Sequence, residues 1–139
     1  MRIMAIDYGD AHTGVAVSDP TGFLTGDVTT IHSRKAEVVL EELVKLVQTY
    51  QVDELVMGFP RNMDGTEGPR AELYRTFAGR VEEATGLKPV LWDERRTTVD
   101  AHRILFDAGK NGKKRTKTVD AVAASLILEG YLEFRRMRG

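Results

Sequence analysis

Cysteine is absent from the 139 residues, which excludes disulfide frameworks, thiolate zinc sites and cysteine nucleophiles together. Proline is scarce at four residues and the thirteen glycines follow no repeat, a composition far from collagenous or low-complexity disordered chains. No apolar run approaches the roughly 18 residues that span a bilayer. Met1-Arg2-Ile3-Met4-Ala5-Ile6-Asp7 reaches a carboxylate too early for a signal-peptide core. The expectation is a soluble, cytoplasmic protein with no membrane partner. An excess of either charge is also missing: twenty Lys and Arg stand against twenty-one Asp and Glu, a formal net charge of −1. Binding to nucleic acid would therefore need a local basic patch. The three histidines, His12, His32 and His102, are dispersed with no helical i, i+4 pair, which argues against a histidine metal site or a Ser-His-Asp constellation.

What remains is an ordinary globular chain, 42% hydrophobic and 29% charged, with a length near the mode of about 100–150 residues for one domain. No composition shift divides it, so residues 1–139 are expected to form a single domain. Ile3 to Ile6, Gly14 to Ser18 and Phe23 to Ile31 are β-rich runs separated by Asp-Tyr-Gly-Asp and Asp19-Pro20-Thr21-Gly22, turn compositions that predict three consecutive antiparallel strands. The period then changes. Val39, Leu40, Leu43, Val44 and Val47 predict an amphipathic helix over 34–50 with Ser33 as N-cap. Leu55 to Met57 reads as a buried strand ending at Gly58. Leu73, Phe77, Val81 and Ala84 mark a helical face that stops near Gly86. Pro89 to Trp92 is the last strand, Ala101 to Ala108 a further helix, and Val119 to Phe134 a closing one. The order βββ-α-β-α-β-α-α implies an α/β protein with one mixed sheet and helices packed on its faces.

Three acidic elements stand where such a sheet could use them. Asp7 ends an apolar strand and the chain turns at once through Gly9, where Gly9 and Gly14 could let a phosphate approach bare backbone. Asp93 and Glu94 end another strand, followed by Arg95, Arg96, Thr97 and Thr98. Asp120 follows a stretch in which five of nine residues, 110–118, are basic and none is apolar. Asp19 is read only as closing a turn. Each acid alone has a plain structural explanation, as a turn former, a loop charge or a first-turn helix acid. Together, strands one and five could place Asp7 and Glu94 near one edge, with Asp120 arriving from the last helix. Carboxylates that close repel one another unless a cation neutralises them. Oxygen-only ligands select Mg²⁺ or Mn²⁺, the pair of ions suited to in-line attack of water on a phosphodiester. Lys113, Lys114 and Arg115 would hold the polyanion, and Arg61 and Asn62, in the loop Gly58 to Gly65, could contact phosphate or sugar.

These residues resemble the YqgF (RuvX) family of Holliday junction resolvase-like proteins and pre-16S ribosomal RNA nucleases. The resemblance rests on Asp7-Tyr8-Gly9 with Gly14 to Asp19, on Gly58-Phe59-Pro60 with Asn62 and Asp64-Gly65, on Asp93-Glu94-Arg95 with Thr97-Thr98, and on Asp120 to Ala124 near Ile127-Leu128. It covers nearly the whole chain. It implies an RNase H-like fold with a five-stranded mixed sheet flanked by helices. Asp7, Glu94 and Asp120 become the catalytic and metal-holding acids, and Arg95 joins the substrate-binding set. The residues themselves leave Asp93 and Glu94 open; the resemblance favours Glu94, and alternation along a strand lets only one of the two face inward. It further implies 5′-end processing of pre-16S rRNA during ribosome biogenesis, with an rRNA precursor, branched DNA, a ribosomal particle and a second copy of the chain as the partners to consider. The alternatives are a Holliday junction endonuclease and a nucleic-acid-binding maturation factor that does not cut. In one place the chain departs from the family: Ala11-His12-Thr13 stands where Lys-Arg is common before Gly14, which weakens a cationic contact in the first hairpin.

Overall fold

The computed structural model describes residues 1–22, 24–60, 68–93 and 115–138, with the side chains of 115–120 and 138 excepted. Five strands form one sheet: β1 (Ile3–Asp7), β2 (His12–Ser18), β3 (Thr25–His32), β4 (Glu54–Phe59) and β5 (Val90–Asp93). The described helices are α1 (Ala36–Tyr50), α2 (Pro69–Thr85) and α3 (Arg115–Arg138). The order across the sheet is β3-β2-β1-β4-β5. The first three strands are antiparallel neighbours, while β4 and β5 run parallel to β1. The C-terminal ends of β1, β4 and β5 therefore share one end of the sheet, here called the upper end.

Strand β1 is central, and its apolar residues alternate between two separate cores. Met4 and Ile6 point into a core with Val15, Val17, Val39, Leu43, Tyr74, Phe77 and Val81, which seats α1 and α2. Ile3 and Ala5 point into the other, with Ala16, Val56, Trp92, Ala124, Ile127, Leu128 and Tyr131, which seats α3. The result is three layers, helices on both faces of a mixed sheet. Trp92 meets Tyr131 edge-on at 5.8 Å and Phe134 at 5.7 Å, so this stretch of α3 belongs to the core.

Several expectations hold and several shift. The Asp19 turn forms as read: its carboxylate accepts hydrogen bonds from the Thr21 hydroxyl and the Gly22 and Leu24 amides. Helix α2 stops at Gly86, which takes the left-handed conformation (φ 79°) open to glycine. Ser33 does not cap α1. Lys35 is the N-cap, because the Ser33 hydroxyl instead accepts the Lys35 amide at 3.1 Å and closes a turn before the helix. The buried stripe of α2 is Ala71, Tyr74, Phe77, Ala78 and Val81, not one that runs through Leu73 and Ala84, both of which face solvent. Tyr74 turns the helix this way by filling the core with its ring and spending its hydroxyl on backbone. Strand β4 extends through Phe59 and β5 begins at Val90. The helix expected over Ala101 to Ala108 lies outside the described residues.

The lower end of the sheet anchors α3. The Tyr131 hydroxyl donates to Glu54, the first residue of β4, and Arg135 pairs with the same carboxylate. Burial, then the Glu54 hydrogen bond, push the Tyr131 phenol above its ordinary value of 10.0. A raised acid favours the protonated form in the folded state. This contribution is complete below about pH 10 and is lost as pH rises through the higher folded-state value. Urea midpoints at pH 8 and pH 11 are expected to fall less between the two pH values for Tyr131→Phe than for wild type; equal falls would place the alkaline loss elsewhere.

Gly9 sits in the loop from β1 to β2, where a Cβ would collide with the backbone carbonyl oxygen of His12. A Cβ at Gly79, in α2, meets nothing within 4 Å. Gly9→Ala is expected to destabilise by about 1–3 kcal/mol, as overpacking does, and Gly79→Ala to stabilise by up to about 1 kcal/mol, both measured by urea unfolding.

Candidate active site

Asp7 is the last residue of β1 and lies opposite Gly14 of β2. Alternation from Ile3 and Ala5 puts it on the α3 side of the sheet, half-buried at the upper end. The four residues before it are buried, so position 7 is the first point along the strand where a charge can reach solvent.

The chain just after Asp7 is fixed from the opposite side of the sheet. The Tyr8 ring stacks on Phe77 with centroids 3.8 Å apart and planes 8° from parallel, and meets Tyr74 edge-on at 5.6 Å. The Tyr74 hydroxyl donates to the Tyr8 carbonyl at 2.6 Å, and the Arg70 guanidinium donates to the Tyr74 oxygen at 3.1 Å. Arg70 also lies 3.9 Å from Asp10. The backbone around Asp7 is thus held by strand pairing before it and by an aromatic clamp after it, which limits the conformations the carboxylate can take. The sequence named Tyr8 only as part of the Asp7-Tyr8-Gly9 motif, with no role of its own, and did not single out Tyr74 and Arg70. The only signal was a tyrosine between Asp7 and Gly9, and its partners lie more than sixty residues away.

The other candidates distribute as follows. Asp93 ends β5 at the same upper end, paired with Phe59. Because Trp92 points into the α3 core, alternation turns Asp93 to the α1–α2 side, away from Asp7. Glu94, Arg95, Arg61, Asn62, Lys113 and Lys114 lie outside the described residues. Arg115 and Asp120 belong to the first turns of α3 as backbone, their side chains outside the description. Tyr131 and Arg135 hold the far part of α3 against the start of β4. Position 120 is eleven residues earlier, about 16 Å along the helix at 1.5 Å per residue, which brings that end of α3 toward the upper end of the sheet. Among the described residues no group of three or more His, Asp or Glu could hold a metal ion.

The histidines require a correction. Although twenty residues apart, His12 and His32 are direct cross-strand partners at the upper ends of β2 and β3. Their Nδ1 atoms are 2.9 Å apart, one ring donating to the other. A helical i, i+4 test cannot detect a pair assembled by a β-ladder.

The family model described as RuvX: Holliday junction resolvase matches residues 1–134. A Carboxydothermus hydrogenoformans protein named "Putative pre-16S rRNA nuclease" is 44% identical over 135 residues, 97% of this chain and 98% of its own. A Clostridium botulinum protein of the same name is 46% identical over 133 residues, covering 96% and 97%. Among solved structures, T. thermophilus RuvC in complex with a Holliday junction substrate superposes with a TM-score of 0.64 at 12% identity, over 99% of this chain and 96% of that one. The fowlpox virus resolvase with Holliday junction DNA gives 0.60 at 15% identity, over 97% and 99%. These likenesses establish the RuvC-like, RNase H-like α/β fold that the three layers and the strand order describe. By the match over nearly its whole length, the chain belongs to the RuvX (YqgF) family.

Proposed function

We propose that this chain is a metal-dependent nuclease that hydrolyses phosphodiester bonds, acting in the cytoplasm on the 5′ end of pre-16S rRNA during ribosome biogenesis. The observation that carries the reading is Asp7: a carboxylate at the C-terminal end of the buried central strand, on the α3 side, with the backbone after it clamped by Tyr8, Tyr74 and Phe77. Membership of the family and the name of relatives at 44% and 46% identity supply the substrate.

In this reading Asp7, Glu94 and Asp120 hold Mg²⁺ or Mn²⁺. The placement of Asp93 on the side of the sheet opposite Asp7 disfavours it as a ligand beside Asp7 and so supports Glu94, the acid that the family resemblance also favours. Positions 120, 124, 127 and 131 share one helical stripe, and Ala124, Ile127 and Tyr131 face the sheet. This spacing supports Asp120 as the acid from α3. The donor set fits a hard cation: Asp7 offers oxygen and the chain has no thiolate. When bound, the metal supplies Lewis-acid stabilisation of charge on the transferring phosphoryl group and acidifies water. The protein's part is positional. The ladder to Gly14 and the Tyr74 hydrogen bond keep Asp7 in place before substrate arrives, so less ordering remains for the reaction step. Lys113, Lys114, Arg115, Arg95, Arg61 and Asn62 contact backbone phosphate and sugar, which position the strand without reading sequence.

The family model's description favours a second reading, cleavage of branched DNA. Both are tested by incubating wild type and Asp7→Asn with a labelled pre-16S rRNA 5′ fragment and with a four-way DNA junction in Mg²⁺, Mn²⁺ or EDTA. The expected result is cleavage of the RNA that EDTA abolishes and Asp7→Asn reduces to background. Cleavage of the junction alone would transfer the assignment to a resolvase. Salt-sensitive binding with no cleavage would overturn the nuclease reading and leave a binding factor.

A further inference from the structure

The cross-strand histidine pair has a geometry of its own. His12 and His32 occupy directly opposed positions on adjacent antiparallel strands. The Ser33 amide donates to the Ala11 carbonyl at 3.0 Å and continues the pairing past them. Both side chains are exposed, and their rings meet edge-on, centroids 4.9 Å apart and planes at 82°. The strands therefore present two imidazoles to solvent with their Nδ1 atoms 2.9 Å apart. Metal–imidazole bonds of about 2.0–2.1 Å at a right angle separate two nitrogens by about 2.9 Å, whereas a tetrahedral angle would need about 3.4 Å.

We propose that His12 and His32 form a two-nitrogen site for a tetragonal divalent transition-metal ion of the Ni²⁺ or Cu²⁺ class. The ligands are the two Nδ1 atoms at adjacent coordination positions, with water completing the shell. The hydrogen bond seen between the rings is exchanged on binding. The donating ring shifts its Nδ1 proton to Nε2 through solvent, each neutral ring then offers its Nδ1 lone pair, and the ion gives up two waters. The strands already hold the two nitrogens at the required separation, and the exposed side chains turn about χ1 and χ2 until both Nδ1 lone pairs point at the ion. Imidazole selects borderline metals over Mg²⁺ and Mn²⁺, so this site is chemically distinct from the carboxylate set around Asp7. It lies on the same side of the sheet as Asp7, with His12 two residues before Gly14, the β2 partner of Asp7.

The test is calorimetric titration of the untagged full-length protein with Ni²⁺ in a non-coordinating buffer at pH 7.5, repeated in excess Mg²⁺. One ion per chain is expected, held in Mg²⁺ as well as without it. Binding should weaken at least about tenfold in His12→Gln and in His32→Gln, the effect expected for losing a ligand, and stay unchanged in His102→Gln. Circular dichroism of each variant should match wild type, as both rings are exposed. Absence of saturable binding by wild type would overturn the proposal. So would affinity that survives either strand substitution, falls with His102→Gln, or disappears in Mg²⁺.

Discussion

The central strand can carry a charge only at its end. Ile3, Met4, Ala5 and Ile6 are each at most 1% exposed, because helices cover both faces of β1 and strands pair with both of its edges. A carboxylate at any of those positions would lose its hydration with nothing to replace it, a cost of several kcal/mol. Position 7 is where the two cores open, and there the sequence changes from apolar to acidic. The rest of the upper end follows from this: the hairpin must turn at once, Gly9 must leave room for the His12 carbonyl, and Tyr8 must cross to the other side to close the α1–α2 core.

The two ends of the molecule have separate tasks. At the lower end, Glu54 binds Tyr131 and Arg135 and locks the far half of α3 to the sheet. At the upper end, the strand termini, the loop from β1 to β2 and the start of α3 converge. A helix anchored by its distal part can deliver a residue near its beginning to a fixed height above the sheet. This is how residues 113 positions apart in sequence, Asp7 and Asp120, come to be candidates for one site. The fold shared with RuvC and the fowlpox resolvase at 12% and 15% identity rests on layer packing, which many apolar sequences satisfy.

The strands and most helices were legible because their patterns are local. Ile3 to Ile6 alternates between two cores, Val39 and Leu43 recur at helical spacing, and Asp19-Pro20-Thr21-Gly22 has the composition of the turn it makes. What the sequence hid was set by tertiary partners. Leu73 fits a helical stripe as well as Tyr74 does, and only the Tyr8 carbonyl, 66 residues away, decides in favour of Tyr74. Ser33 has the right chemistry for an N-cap, yet its hydroxyl is already used by the Lys35 amide. His12 and His32 looked unrelated because a ladder, not a helix, brings them together. Of the candidate site, the placement of Asp7 at a strand end before a turn was legible from the local sequence. The side of the sheet taken by Asp93 was not, since it depends on Trp92 packing against α3.

If the metal site lies on the α3 side of the sheet, Asp93 at the end of β5 and the next residue in sequence, Glu94, must behave differently. Mn²⁺ binding followed by electron paramagnetic resonance, on wild type, Asp93→Asn and Glu94→Gln, compares them under one condition. The expected result is wild-type affinity in Asp93→Asn and a loss of about tenfold or more in Glu94→Gln, the scale of a lost ligand contact. The opposite order, with Asp93→Asn abolishing binding and Glu94→Gln retaining it, would contradict the assignment of the site to that side of the sheet.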